Sequence, residues 1–119
     1  MLRRRADFVA ANRGLRVSRP GLVLLVRANA GAGMRAGITV TKRIGHAVVR
    51  NRMKRRFRAL LREILPVHGL AGHDHVVIGR VGGIERDFNV LRDELIAALA
   101  RAAAGRGDPP RRPRDGSRR

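Results

Sequence analysis

Between Ala47 and Leu65 apolar side chains return every third or fourth residue, at Val49, Met53, Phe57, Leu60, Leu61 and Ile64. At about 3.6 residues per turn these positions form one stripe roughly 120° wide, which predicts an amphipathic helix lying on a core. Pro66 is expected to end it. Upstream the period changes. Leu22 to Val26 is an unbroken apolar run behind a Pro20-Gly21 turn, short enough for a buried strand. Met34 to Thr41 alternates, with Ile38 and Val40 on one side and Thr39 and Thr41 on the other, as a strand does. Leu15 to Ser18 and Asp74 to Arg80 read as two further strands.

Helical segments close both ends of this pattern. Arg3 to Arg13, carrying Phe8 and Val9, reads as a short helix stopped by Gly14. After the Gly82-Gly83 turn, Asp87 should cap a last helix with Phe88, Leu91, Leu95 and Leu99 at helical spacing, ended by Gly105. The order α-β-β-β-α-β-α predicts an α+β fold, a two-layer sandwich with a sheet of about four strands. Residues 1–104 should form the single domain. Residues 105–119, with three Pro, three Gly and six Arg, should form a disordered basic tail.

Charge changes the picture from fold to partner. The 119 residues carry 27 Lys and Arg against 9 Asp and Glu, a formal charge of +18. Residues 8–62 contain fourteen basic side chains and no acid. Self-repulsion opposes compaction of such a chain, so a polyanion is the expected partner, and nucleic acid is the obvious one. No segment approaches the roughly 20 apolar residues that span a bilayer. The basic start lacks the apolar stretch of a secretory signal, and there is no cysteine for disulfides or thiolate metal sites. A cytoplasmic protein without membrane association is expected.

The central helix concentrates the charge. Arg50, Lys54, Arg58 and Arg62 follow one another along one flank of its apolar stripe; Arg52 and Arg56 lie on the other, with Arg55 on the outer face. Glu63 is its only acid. A merely solvated helix mixes signs so that i,i+4 pairs form, whereas here like charges stack at nearly every turn. Arginine forks suit phosphate oxygens. Asn51 could add a bond to phosphate, 2′-hydroxyl or base edge, or could only cap the helix. Just upstream, Lys42 and Arg43 beside a helix start make a reasonable, though by itself weak, anion site.

The run Thr41-Lys42-Arg43-Ile44-Gly45-His46-Ala47-Val48-Val49-Arg50-Asn51-Arg52-Met53-Lys54-Arg55 resembles the signature of the bacterial ribonuclease P protein component. Asp7-Phe8 and Asp74-His75-Val76-Val77-Ile78-Gly79-Arg80 are similar to its first helix and its last strand, so the likeness spans about residues 3–103. The resemblance implies a ribosomal protein S5 domain 2-like fold with an unusual left-handed β-α-β crossover. It implies a protein that binds ribonuclease P RNA and the 5′ leader of precursor tRNA, while the RNA subunit cleaves with Mg²⁺. Lys42, Arg43, Arg50, Asn51, Arg52, Lys54, Arg55, Arg56, Arg58 and Arg62 would then meet RNA. Phe8, Asn12, Val26, Thr39, Lys54 and Arg58 would line or flank the leader cleft. No obligate protein partner is expected, and no protein side chain is expected to be catalytic.

There are departures from the family pattern. Asn12 stands where a second aromatic is common, and Val23-Leu24-Leu25-Val26 replaces Phe-x-x-Tyr. Since base stacking on an aromatic is worth about 1–3 kcal/mol, leader binding should lean on charge here. Two rival functions follow from the same residues. A structural RNA-binding protein would show the same charge without leader binding. A self-sufficient nuclease would need His73, Asp74 and His75 to hold metal, but further ligands are missing. Asp74 is better read as fixing the loop before its strand. Phe57 and Phe88 fall on apolar stripes as core, while Phe8 suits core or cleft equally.

Overall fold

The computed structural model describes residues 14–31 and 33–107. Four strands, β1 (Leu15–Ser18), β2 (Leu22–Ala28), β3 (Arg35–Thr39) and β4 (His73–Gly79), form one sheet in the order β1-β2-β4-β3. β1 pairs with β2 and β2 with β4 antiparallel, whereas β3 runs parallel to β4. That parallel pair needs a crossover, and helix α1 (Ala47–His68) supplies it. A second helix, α2 (Phe88–Ala103), follows β4 and starts at Asp87, whose Oδ2 accepts from Asn89 N–H at 3.0 Å. The expected first helix, with Phe8 and Asn12, and most of the expected tail lie outside the described residues.

Side-chain parity sorts the sheet into two faces. Leu22, Leu24 and Val26 of β2, Val77 of β4 and Ala36 of β3 meet the α1 stripe (Met53, Phe57, Leu60, Leu61, Ile64) and the α2 row (Leu91, Leu95, Leu99) in the main core. Val23, Leu25 and Val76, with Ile78 against them, form a smaller cluster on the other face. Gly79 allows the helix to lie close, because a Cβ there would collide with Met53 Sδ and stand 3.3 Å from Phe57.

Two expectations need correction. Helix α1 does not stop before Pro66: it runs to His68, and Gly69 N–H still reaches Leu65 O at 2.8 Å. Proline removes one N–H and strains one turn, and at the last turn that cost falls where few bonds remain to lose. Val26 is 3% exposed and faces α1 and α2. Through their partners on β4, Val26 aligns with His75 and Ala36, whereas Thr39 aligns with Ile78 and Val23. Val26 and Thr39 therefore lie on opposite faces and cannot line one cleft.

Candidate nucleic-acid interface

Helix α1 begins after a single 3₁₀ turn, Lys42–Ile44, and Gly45 at φ 147°, a conformation that favours glycine. Its N-cap, His46, makes no side-chain cap bond. Asn51 sits inside the helix and is exposed, so the capping reading is excluded. Because the apolar stripe is buried, the basic flanks must emerge on either side of it, and they do so in different surroundings.

On the first flank, Arg58 and Arg62 border a crevice of about 260 Å³ with Ala36 of the edge strand β3, Leu61 and Leu65. Lys54 and Arg50 are half-buried, and Arg50 Nε donates to Gly45 O at 3.2 Å, bracing the turn that enters the helix. On the second flank, Arg52 is exposed, but Arg56 is not available in the same way. Its Nη1 donates to Gly83 O (3.3 Å) and Ile84 O (3.4 Å), and its Nη2 to Arg86 O. Arg56 thus holds the loop after β4 against α1. Glu63, the only acid on α1, pairs with Arg92 of α2. Among the described residues, no carboxylate forms an ion pair with Arg52, Lys54, Arg55, Arg58 or Arg62. Lys42, Arg43 and Arg55 are likewise exposed.

The His73-Asp74-His75 segment serves the fold. Asp74, 4% exposed, receives a fork from Arg35, Nε to Oδ1 at 2.7 Å and Nη2 to Oδ2 at 2.8 Å, and a bond from Asn29 Nδ2 at 2.8 Å. It therefore fixes the β2–β3 loop and the start of β3, not the loop before its own strand. The Arg35 fork holds its carboxyl below the usual carboxylate range. His75 is fully buried; its Nδ1 bonds Arg35 O at 3.0 Å, and its Nε2 accepts from Leu70 N–H at 3.0 Å, which requires the neutral ring. Burial pushes its pKa down. His73 Nδ1 pairs with Ala71 O instead, and among the described residues no group of three or more His, Asp or Glu could hold a metal ion.

These two groups set an expected pH dependence. Both titrate lower in the folded chain than unfolded, so the unfolded chain binds more protons and stability rises with pH. The contribution should be whole above about pH 6.5. It should erode below that as His75 takes up a proton and becomes charged on unfolding, and again as the pH falls through the usual carboxylate range, where Asp74 takes up a proton and becomes neutral on unfolding. Melting followed by circular dichroism from pH 7.5 to 4 checks this; a melting temperature that rises as the pH falls from 7 to 5 contradicts it.

A ridge of largely exposed cations along α1, without carboxylate partners among the described residues, is the surface of a polyanion-binding α+β protein. The profile described as "Ribonuclease P" matches residues 1–103. The ribonuclease P protein component of Erythrobacter litoralis is 69% identical over 96% of this chain and 94% of its own length. That of Paramagnetospirillum magneticum is 42% identical over 87% and 82%. The solved RNase P protein from Thermotoga maritima superposes with a TM-score of 0.74 at 32% identity, covering 84% of this chain and 94% of that one. The chain belongs to the ribonuclease P protein family.

Proposed function

We propose that the chain is the protein subunit of ribonuclease P, an endoribonuclease whose chemistry resides in RNA, and that it assists removal of the 5′ leader from precursor tRNA in the cytoplasm. The observation that carries this reading is the set of α1 cations that have no carboxylate partner among the described residues. Arg52 and Arg55, with Asn51 between them, would meet the catalytic RNA. Lys54, Arg58 and Arg62, beside β3, would face the leader. Phosphates of two RNAs neutralised on one rigid helix hold substrate against catalyst, so the protein contributes positioning and charge stabilisation rather than a side-chain base. Cations placed this way reduce the repulsion that Mg²⁺ on the RNA would otherwise have to screen. With Val26 in the core and no aromatic at position 12, leader affinity rests mainly on charge, and it should fall steeply with salt.

Reconstitution tests the assignment. Protein, catalytic RNA and precursor tRNA are mixed at low Mg²⁺ and cleavage is assayed with each component omitted. Cleavage should need the catalytic RNA and be strongly enhanced by protein. Cleavage by protein alone, or no enhancement, refutes the proposal.

A further inference from the structure

Helix α1 is held on the sheet by its apolar stripe, a contact that excludes water but has little directional preference. Its first buried side chain is Met53, preceded only by half-buried Val49, and its N-terminal turn has neither a side-chain cap at His46 nor an acid. The turn that carries Arg52 therefore lies at the margin of the packed part of the helix. Burial alone leaves the roll of α1 about its axis weakly fixed there. One turn further along the same flank stands Arg56.

Arg56 differs from the exposed α1 cations in what it faces. Its Nη1 donates to the carbonyls of Gly83 and Ile84 and its Nη2 to that of Arg86, so both ends of the fork are engaged by the loop after β4 rather than offered to a phosphate. That loop is itself tied down on two further sides. Arg86 pairs with Glu94 of α2 at 3.3 Å, and Glu94 Oε1 accepts from Gly21 N–H, in the β1–β2 turn, at 2.9 Å. Arg80 Nη1 donates to Arg19 O of the same turn at 2.9 Å. Gly82 and Gly83 press on this turn so closely that a Cβ on either would collide with Pro20 O or Gly21 O. Arg56 thus grips a platform joined to β1, β2 and α2, and hydrogen bonds to it are directional where apolar packing is not.

Resting on the RNA-binding reading above, we infer that Arg56 is a positioning residue: without meeting RNA itself, it sets the roll of α1 on the sheet and so aims Arg52, its neighbour one turn before. Neutral carbonyls suit this role, since they fix the guanidinium by geometry and leave the positive sign of the flank intact. Further along the helix a carboxylate, Glu63, is matched by Arg92 instead. Lysine cannot replace Arg56, because one ammonium does not span carbonyls engaged by two nitrogens of a planar fork.

A double-mutant cycle on affinity for the catalytic RNA, at one fixed salt concentration, tests this with the full chain. The proteins are the parent, Arg56→Lys, Arg52→Ala and the two combined, so that the charge at position 56 never changes. Arg56→Lys should weaken binding, by no more than the roughly tenfold expected for Arg52→Ala itself. In the Arg52→Ala background it should cost nothing further, because the side chain it aims is gone. Glu94→Ala loosens the platform from the far side and should also weaken binding only while Arg52 is present; it removes an acid, so charge alone would strengthen binding. Parental affinity in Arg56→Lys overturns the positioning role, since a lysine would serve a plain phosphate contact nearly as well. An equal loss in both backgrounds marks general loosening of the fold and overturns it too. In either case a loss from Arg52→Ala leaves the ridge standing. If Arg52→Ala binds as the parent does, the ridge reading falls, and the positioning role falls with it.

Discussion

Replacing Arg52 and Arg55 together with alanine is expected to lower kcat/KM of the reconstituted enzyme about a hundredfold at low Mg²⁺. A hydrogen bond to a charged group contributes about 1.5–3 kcal/mol, so even the low end gives about tenfold for each arginine. Both side chains are exposed and neither pairs with an acid among the described residues, so removing them takes nothing from the fold. The melting temperature should stay level or rise slightly as stacked like charges are relieved. Higher Mg²⁺ should recover part of the loss, because the ions screen the same phosphates less specifically. A double variant that melts normally and cleaves at the parental rate would separate the ridge from activity.

Phe57→Ala should have the opposite signature. Phe57 is 1% exposed at the centre of the α1 stripe, against Gly79 of β4 and among the largest fully buried side chains. Truncating a buried phenylalanine costs about 3–5 kcal/mol through lost transfer energy and the cavity left behind. Against the roughly 5–15 kcal/mol that holds a small domain together, this leaves the chain near its threshold. Urea denaturation should show a midpoint far below that of the parent, with an unchanged slope. RNA binding at low temperature should survive in the fraction that remains folded. A loss under 1 kcal/mol would mean that α1 is not packed on the sheet through this residue.

The elements that were readable from the sequence are those whose residues alternate or recur. The α1 stripe, the Asp87 cap and the Asp74–Arg80 strand all have local patterns that burial then fills. Leu22 to Val26 offers no such pattern: every residue is apolar, so nothing local says that Val23 and Leu25 turn to one face while Leu24 and Val26 turn to the other. The cleft assignment of Val26 fails for that reason. The bracing role of Arg56 was not legible because its partners lie 27 to 30 residues away, in a loop whose position only the folded sheet determines. Asp74 was understood as a structural residue, yet its fork from Arg35 bridges 39 residues and depends on β3 lying beside β4. The ridge itself was legible because a helix places its charges by arithmetic that needs no tertiary contact.

The account depends most on those α1 cations being phosphate contacts, and the salt dependence of binding to the catalytic RNA measures that directly. Affinity of the parent chain should fall steeply and linearly with log salt, and Arg52→Ala should make that line shallower by about one counterion. A parent affinity indifferent to salt, or an Arg52→Ala line parallel to the parent's, would contradict it.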